Sequence, residues 1–258
     1  MSLLEICNIS MNYHSIKCET KALNNVSFKV EEGEFISILG PSGCGKSTLL
    51  NIISGLLEPS GGRILYRGED IKNSLDKIGY MFQKDHLFEW STVWENVIIG
   101  LKIKKLLNDE SKNRVEALLE TYGLEKFKNH YPRELSGGMR QRVALIRTLA
   151  LNPEILFLDE PFSALDYQSR LLVCDDVYKI IKREKKTAIM VTHDIAEAIS
   201  ISQKVIVLSK RPASVKTEAL MKFDSEELTP FQRRKERQFS GYFNELWKEL
   251  NEDNEKKQ

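Results

Sequence analysis

Gly40-Pro41-Ser42-Gly43-Cys44-Gly45-Lys46-Ser47 sets two glycines, with four residues between them, ahead of a Lys-Ser pair. This is the pattern of a loop that wraps phosphates. Glycine adopts positive φ without a Cβ clash, so successive N–H groups can point at one anion at a helix N-terminus. Lys46 supplies a compact charge for β- and γ-phosphates, and the Ser47 hydroxyl suits Mg²⁺. The flanks agree. Glu34-Phe35-Ile36-Ser37-Ile38-Leu39 is an apolar stretch of strand type, and Ser47-Thr48-Leu49-Leu50-Asn51-Ile52-Ile53 continues as a helix. Strand, loop and helix in that order imply nucleoside triphosphate binding, with residues Gly40 to Thr48 as the cradle.

Two downstream segments extend this reading. Ile155-Leu156-Phe157-Leu158-Asp159-Glu160 is an apolar run ending in two carboxylates, as for a buried parallel strand whose tip reaches a ligand crevice. Alone it would read as an ordinary strand-to-turn junction. Beside a phosphate loop, Asp159 becomes a candidate Mg²⁺ ligand and Glu160 a candidate base for the attacking water. Leu135-Ser136-Gly137-Gly138-Met139 precedes the helical stretch Arg140 to Arg147, so Ser136 and the two glycines offer a second anion-binding surface, or simply a serine N-cap.

Taken together with Ser163-Ala164-Leu165-Asp166 and His193, these segments resemble an ATP-binding cassette (ABC) ATPase over approximately residues 3 to 210. The resemblance implies an α/β fold, a P-loop NTPase core of ABC type with an inserted α-helical subdomain and a β-rich N-terminal part. It implies that Tyr13 stacks on adenine, that Gln83 senses Mg²⁺ and the γ-phosphate, and that His193 contacts the γ-phosphate. Ser136, Gly137 and Gly138 match the signature loop, which in this family completes the ATP site of a second copy, with Asp166 at the dimer seam. The implied catalytic set is Glu160, His193, Lys46 and Gln83, and the implied metal set is Ser47, Gln83 and Asp159. The implied cofactors are ATP and Mg²⁺.

Two positions depart from the family pattern. The signature loop ends in Met139 where glutamine is usual, which leaves Ser136 and the glycines intact, so activity is expected to survive. Cys44 lies inside the phosphate loop and is expected to make the site sensitive to thiol reagents if it is accessible.

The segments around Pro132 to Arg142 and Asp159 to Asp166 look like prokaryotic importers. Ser209-Lys210-Arg211-Pro212-Ala213 and the tail near Trp247 resemble the nitrate, sulfonate and taurine branch, which includes pyrimidine-precursor transporters. That branch implies integral membrane permease subunits and, indirectly, a substrate-binding protein as partners, and a peripheral place on the cytoplasmic face of the membrane. His86-Leu87-Phe88-Glu89-Trp90 follows Gln83 and reads as a docking loop for the membrane subunit, or as a small satellite core.

The 258 residues carry a formal net charge of +1, which gives no nucleic-acid signature. Cys7, Cys18, Cys44 and Cys174 lack metal or disulfide spacing, and His14, His86, His130 and His193 are scattered. No apolar run approaches the ~20 residues of a membrane span, and no signal segment is expected.

The period of the apolar pattern divides the chain. Strand-like runs such as Val26 to Val30 and Arg63 to Tyr66 occur before residue 83. Val93, Val97, Leu101, Val115, Leu118, Leu119 and Tyr122 then recur at three or four, and Lys186 to Val191 and Lys204 to Leu208 return to strand character. The expected organisation is a nucleotide-binding domain over 1–208, with an α/β core from 1–86 and 152–208 and a helical subdomain over 87–151, followed by a helical extension over 209–258. In that extension 239–250 has apolar residues at helical spacing, and Arg233-Arg234-Lys235-Glu236-Arg237 reads as a solvated helix face. A soluble cassette ATPase acting on DNA or the ribosome is the alternative, weakened by the lack of a second cassette or a coiled-coil insertion. A small-molecule P-loop kinase does not need Ser136-Gly137-Gly138 or His193.

Overall fold

A computed structural model describes residues 2–14, 19–225 and 227–255 of the chain; Cys18 and the side chain of His14 lie outside the described residues. Alternation shapes the N-terminal part. Strands β1 (Ser2–His14) and β2 (Glu19–Glu31) pair antiparallel, and Val26, Phe28 and Val30 turn inward while Ser27 and Lys29 face solvent. Strand β3 (Phe35–Leu39) is buried at every residue and leads through the phosphate loop into helix α1 (Lys46–Ile53). Strands β4 (Gly61–Tyr66) and β5 (Glu69–Asp70) complete a four-stranded sheet in the order β2-β1-β4-β5, before β6 (Ile78–Met81) enters the second sheet.

The change of period near residue 90 corresponds to helices α2 (Val93–Ile103), α3 (Asp109–Thr121) and α4 (Gly137–Leu149). Thr92 and Glu95 form a reciprocal capping box at the start of α2, and Asn108 with Ser111 does the same for α3. Val93, Val97, Ile98 and Leu101 bury one face of α2 in the same core as Val143, Leu145 and Ile146 of α4. Each such side chain contributes about 2 kcal/mol on burial, which outweighs the modest helix propensity of the β-branched residues.

The chain then alternates through β7 (Ile155–Asp159), α5 (Tyr167–Arg183), β8 (Thr187–Thr192), α6 (Ile195–Ile201) and β9 (Lys204–Leu208). The sheet order is β10-β9-β3-β8-β7-β6, where β10 (Val215–Leu220) is an antiparallel edge and the remaining pairings are parallel. Register aligns the strand tips: Leu39 lies opposite Thr192, and Asp159 opposite Val191. The phosphate loop, Glu160 and His193 therefore leave one edge of one sheet, the carboxyl edge where α/β folds bind ligands.

Two expectations for the tail are corrected. The segment over 209–258 opens with a strand rather than a helix, because β10 supplies the outer ladder of β9 before α7 (Pro230–Arg233) and α8 (Arg237–Glu255) begin. Arg233 is also not part of a solvated face. It is buried and donates to the carbonyls of Ser200 and Ser202 and to the Tyr178 hydroxyl, which satisfies a charge that could not otherwise be carried inside. Helix α8 packs Leu246 into a cluster with Leu39, Ile195 and Ile199, close behind the phosphate loop. Among the described residues no helix is long and apolar enough to cross a membrane.

Candidate functional site

Gly43 and Gly45 hold φ values of +74° and +123°, and a Cβ on Gly45 would stand 3.0 Å from Leu23 Cδ2. Both the turn and the close approach of β2 require glycine. Helix α1 starts at Gly45 with no side-chain cap, whereas Ser136, Asp166 and Asp194 cap α4, α5 and α6. Its first N–H groups therefore remain for an anion, reinforced by the helix dipole. Lys46 is buried and donates to the carbonyls of Gly40 (2.8 Å) and Pro41 (3.1 Å), which holds its ammonium across the loop mouth. Tyr13 is exposed at the end of β1, and its hydroxyl lies 3.3 Å from Thr48 Oγ1.

Ser47 Oγ donates to Asp159 Oδ1 at 3.1 Å. Tyr80, on β6 beside β7, sets its phenol oxygen 3.3 Å from Asp159 Oδ2 and 3.0 Å from Asn51 Oδ1, so its one proton is shared between two acceptors. Burial pushes the Asp159 carboxyl up and the neighbouring charge of Glu160 adds to this, while Ser47 and Tyr80 offset part of it. Burial and Asp159 together raise the Tyr80 phenol, which stays a donor. A hydroxyl and a desolvated carboxylate at this spacing form a hard oxygen pair that fits Mg²⁺.

Glu160 lies one residue beyond the strand, at φ +44°, with its N–H bonded to Val191 O at 3.0 Å. That left-handed turn is a strained position for a residue with a Cβ. It aims the carboxylate at a polar group drawn from three loops. Gln83 Nε2 lies 3.3 Å from Glu160 Oε2 and from Ser163 Oγ, and His193 Nδ1 lies 3.2 Å from Glu160 Oε2. Gln83 and His193, far apart in sequence, thus converge on one carboxylate, while Ser163 Oγ donates to the Glu160 carbonyl at 3.0 Å and lies beside Gln83. Ser136 lies apart from this group and caps α4 through Met139 N, while Gly137 and Gly138 press against α5 and the turn before it: a Cβ would meet Leu165 Cδ2 at 3.1 Å and Val173 Cγ2 at 2.8 Å, respectively. Met139 packs against the helical core, so its side chain leaves the Ser-Gly-Gly surface clear.

Cys44 corrects the thiol expectation. It is only 2 % exposed, and burial raises its pKa despite the charge of Lys46, so it is an inert filler beneath the loop. In the loop after Gln83, Leu87 is buried while Phe88 and Trp90 are exposed and in ring contact at 5.1 Å. The loop is fastened to α4: Arg140 donates to both Asp85 oxygens (2.7 and 3.0 Å) and to Glu89 (2.6 Å), and Arg147 donates to the carbonyls of Asp85 and His86. Sequence reasoning missed Tyr80, Asn51, Asp85 and Arg140. No local signal marks them, because each acts through a partner on another element.

The family model described as ABC transporter matches residues 23–163. The chain belongs to this family. It is 47% identical to the uncharacterised ABC transporter ATP-binding protein YtlC of Bacillus subtilis strain 168, over 97% of this chain and 96% of that protein. It is 38% identical to the nitrate import ATP-binding protein NrtD of Synechocystis sp. PCC 6803, over 94% and 93%. Among solved structures, the dimeric post-hydrolysis state of the ATP-binding cassette MJ0796 with ADP and Pi matches with a TM-score of 0.70 at 35% identity, covering 85% of this chain and 99% of that one. The expected α/β cassette fold and ATPase class hold for this ABC protein.

Proposed function

We propose that the chain is the ATP-hydrolysing subunit of a prokaryotic ABC importer for a small solute of the nitrate, sulfonate, taurine or thiamine-pyrimidine-precursor type. The observation that carries the mechanism is the convergence, next to the Ser47–Asp159 pair, of Gln83 and His193 on the Glu160 carboxylate, with Ser163 beside Gln83. Lys46 and the N-terminus of α1 hold the β- and γ-phosphates, and Tyr13 stacks on the base. Glu160 accepts the proton of the attacking water, Gln83 orients that water, and His193 contacts the γ-phosphate. Ser47, Asp159 and Gln83 would hold Mg²⁺, which supplies neutralisation of phosphate charge when bound.

The site is completed by a second copy, whose Ser136, Gly137 and Gly138 meet the γ-phosphate while the turn ending at Asp166 lines the seam. Hydrolysis is then conditional on closure. The exposed Phe88–Trp90 pair fits docking of an integral membrane permease subunit, which in turn receives solute from a binding protein at the opposite face. On this reading the chain works peripherally, on the cytoplasmic side of the membrane. As units we read an α/β core from 1–86 and 152–208, a helical arm over 87–151 and a tail over 209–258.

Glu160→Gln tests the reading. The variant is expected to bind ATP, to lose at least about a hundredfold in turnover, and to accumulate as a dimer with ATP in size-exclusion chromatography. Turnover at the parental rate would remove Glu160 as the base. Affinity capture from membranes should recover a polytopic protein; recovery of ribosomes or DNA in its place would favour a soluble cassette ATPase.

A further inference from the structure

Arg170, one turn into α5, reaches two turns of the site at once. Its Nη2 donates to Leu165 O at 3.1 Å, inside the Ser163 to Asp166 turn. Its Nη1 lies 3.6 Å from Asp194 Oδ2 and its Nε 3.7 Å from Glu197 Oε1. The Nε atom is shielded from solvent and has no hydrogen-bond acceptor in range among the described residues.

The carboxylates facing it are built into the turn that carries His193. Thr192 Oγ1 donates to Glu197 Oε2 at 2.7 Å, Asp194 N donates to Thr192 Oγ1 at 3.0 Å, and Glu197 N donates to Asp194 Oδ1 at 3.0 Å. The neighbours of His193 are therefore tied to Glu197 and Asp194, the two carboxylates that face the Arg170 guanidinium. Glu197 is 4 % exposed, a burial that a carboxylate tolerates only with a cation and hydrogen-bond donors beside it. At the other end, Leu165 touches the position a Cβ would take on Gly137.

We infer that Arg170 is a positioning residue that couples the turn bearing His193 to the turn ending at Asp166, with Glu197 as its buried counter-charge. The separations to Asp194 and Glu197 are too long for hydrogen bonds, yet short enough that a shift of under ~1 Å in either turn would form charge-assisted ones. A displacement of the Leu165 turn thus reaches His193 through a single side chain. The coupling deepens the proposed function, since it rests on the assignment of His193 to the γ-phosphate.

The test is a double-mutant cycle on single-turnover ATP hydrolysis by the full chain. Arg170→Gln is expected to lower the rate about tenfold while KM for ATP stays within about twofold, because Tyr13 and the phosphate loop are untouched. Arg170→Lys, which keeps the charge but not the fork, should recover part of that loss, and it carries the test if the glutamine variant does not fold. In a His193→Ala background Arg170→Gln should cost less than about twofold more, since its route to the reaction is gone. An undiminished tenfold loss in that background would overturn the coupling while leaving the assignment of His193 intact. Parental turnover by His193→Ala alone would remove that assignment, and the coupling with it.

Discussion

Arg140→Gln removes the guanidinium that holds Asp85 with two hydrogen bonds and Glu89 with a third. The Arg140 and Asp85 side chains are 23 % and 19 % exposed, so the pair lies between the surface and interior limits. Breaking a fully buried pair costs about 3–5 kcal/mol, and an exposed one about 0.5 kcal/mol. Asp85 retains the Leu87 N–H and the nearby charge of Arg147, which leaves an expected loss of about 2 kcal/mol, with little added from the half-exposed Glu89. For a chain of this size that lowers Tm by about 6 °C.

The pH dependence fixes the cause. Burial pushes the Asp85 carboxyl up, but Arg140, the Leu87 N–H and Arg147 outweigh it and hold its pKa below the ordinary value. A depressed carboxylate contributes fully above its unfolded pKa of about 3.9, and the contribution is lost as pH falls through the folded value. Urea unfolding of parent and variant should therefore differ by about 2 kcal/mol from pH 7 down to about pH 4, and the gap should close only as pH falls further, through the lowered folded pKa of Asp85. A gap undiminished at about pH 2, or one under ~0.5 kcal/mol at pH 7, would count against this account.

Lys46→Ala should abolish triphosphate binding or turnover, and unchanged affinity with an unchanged rate in a fluorescent-nucleotide titration and ATPase assay would contradict its place in the phosphate cradle. Gly138→Ala puts a methyl where Val173 Cγ2 is 2.8 Å away, so about 1–3 kcal/mol should be lost and then largely recovered by adding Val173→Ala. Thermal unfolding reads both steps, and failure of the second substitution to help would disprove the crowding. Iodoacetamide at pH 7.5 should leave the Cys44 peptide unmodified in the native chain and label it after denaturation; mass spectrometry showing rapid native labelling would count against its burial.

Much of this site was legible because its chemistry is local in sequence. The Gly40 to Ser47 loop needs its glycines and lysine within eight residues, and Asp159-Glu160 ends an apolar strand that announces itself. The partners of these groups were not legible. Tyr80 meets Asp159 from 79 residues away, through the parallel pairing of β6 with β7. Arg140 meets Asp85 from 55 residues away, across a loop and a helix. Strand β10 escaped notice because Val215-Lys216-Thr217-Glu218-Ala219-Leu220 is an edge with no fully buried residue, so it lacks the apolar run of β3 or β8. Arg233 was misread for a related reason: a run of charges shows a polar average and conceals the one member that tertiary packing draws inward.

The bend at Glu160 restricts what mutagenesis can report there. Amide and glycine replacements can follow the chain through a left-handed corner, so under the proposed role of Glu160 their defects would speak of lost proton transfer. Valine or isoleucine would crowd their own carbonyl, and the Gln83–Glu160–His193 group would shift before any chemistry was sampled. Saturation libraries at this codon will therefore mix two kinds of dead enzyme, and only conformational readouts such as amide exchange can sort the inert from the unhinged.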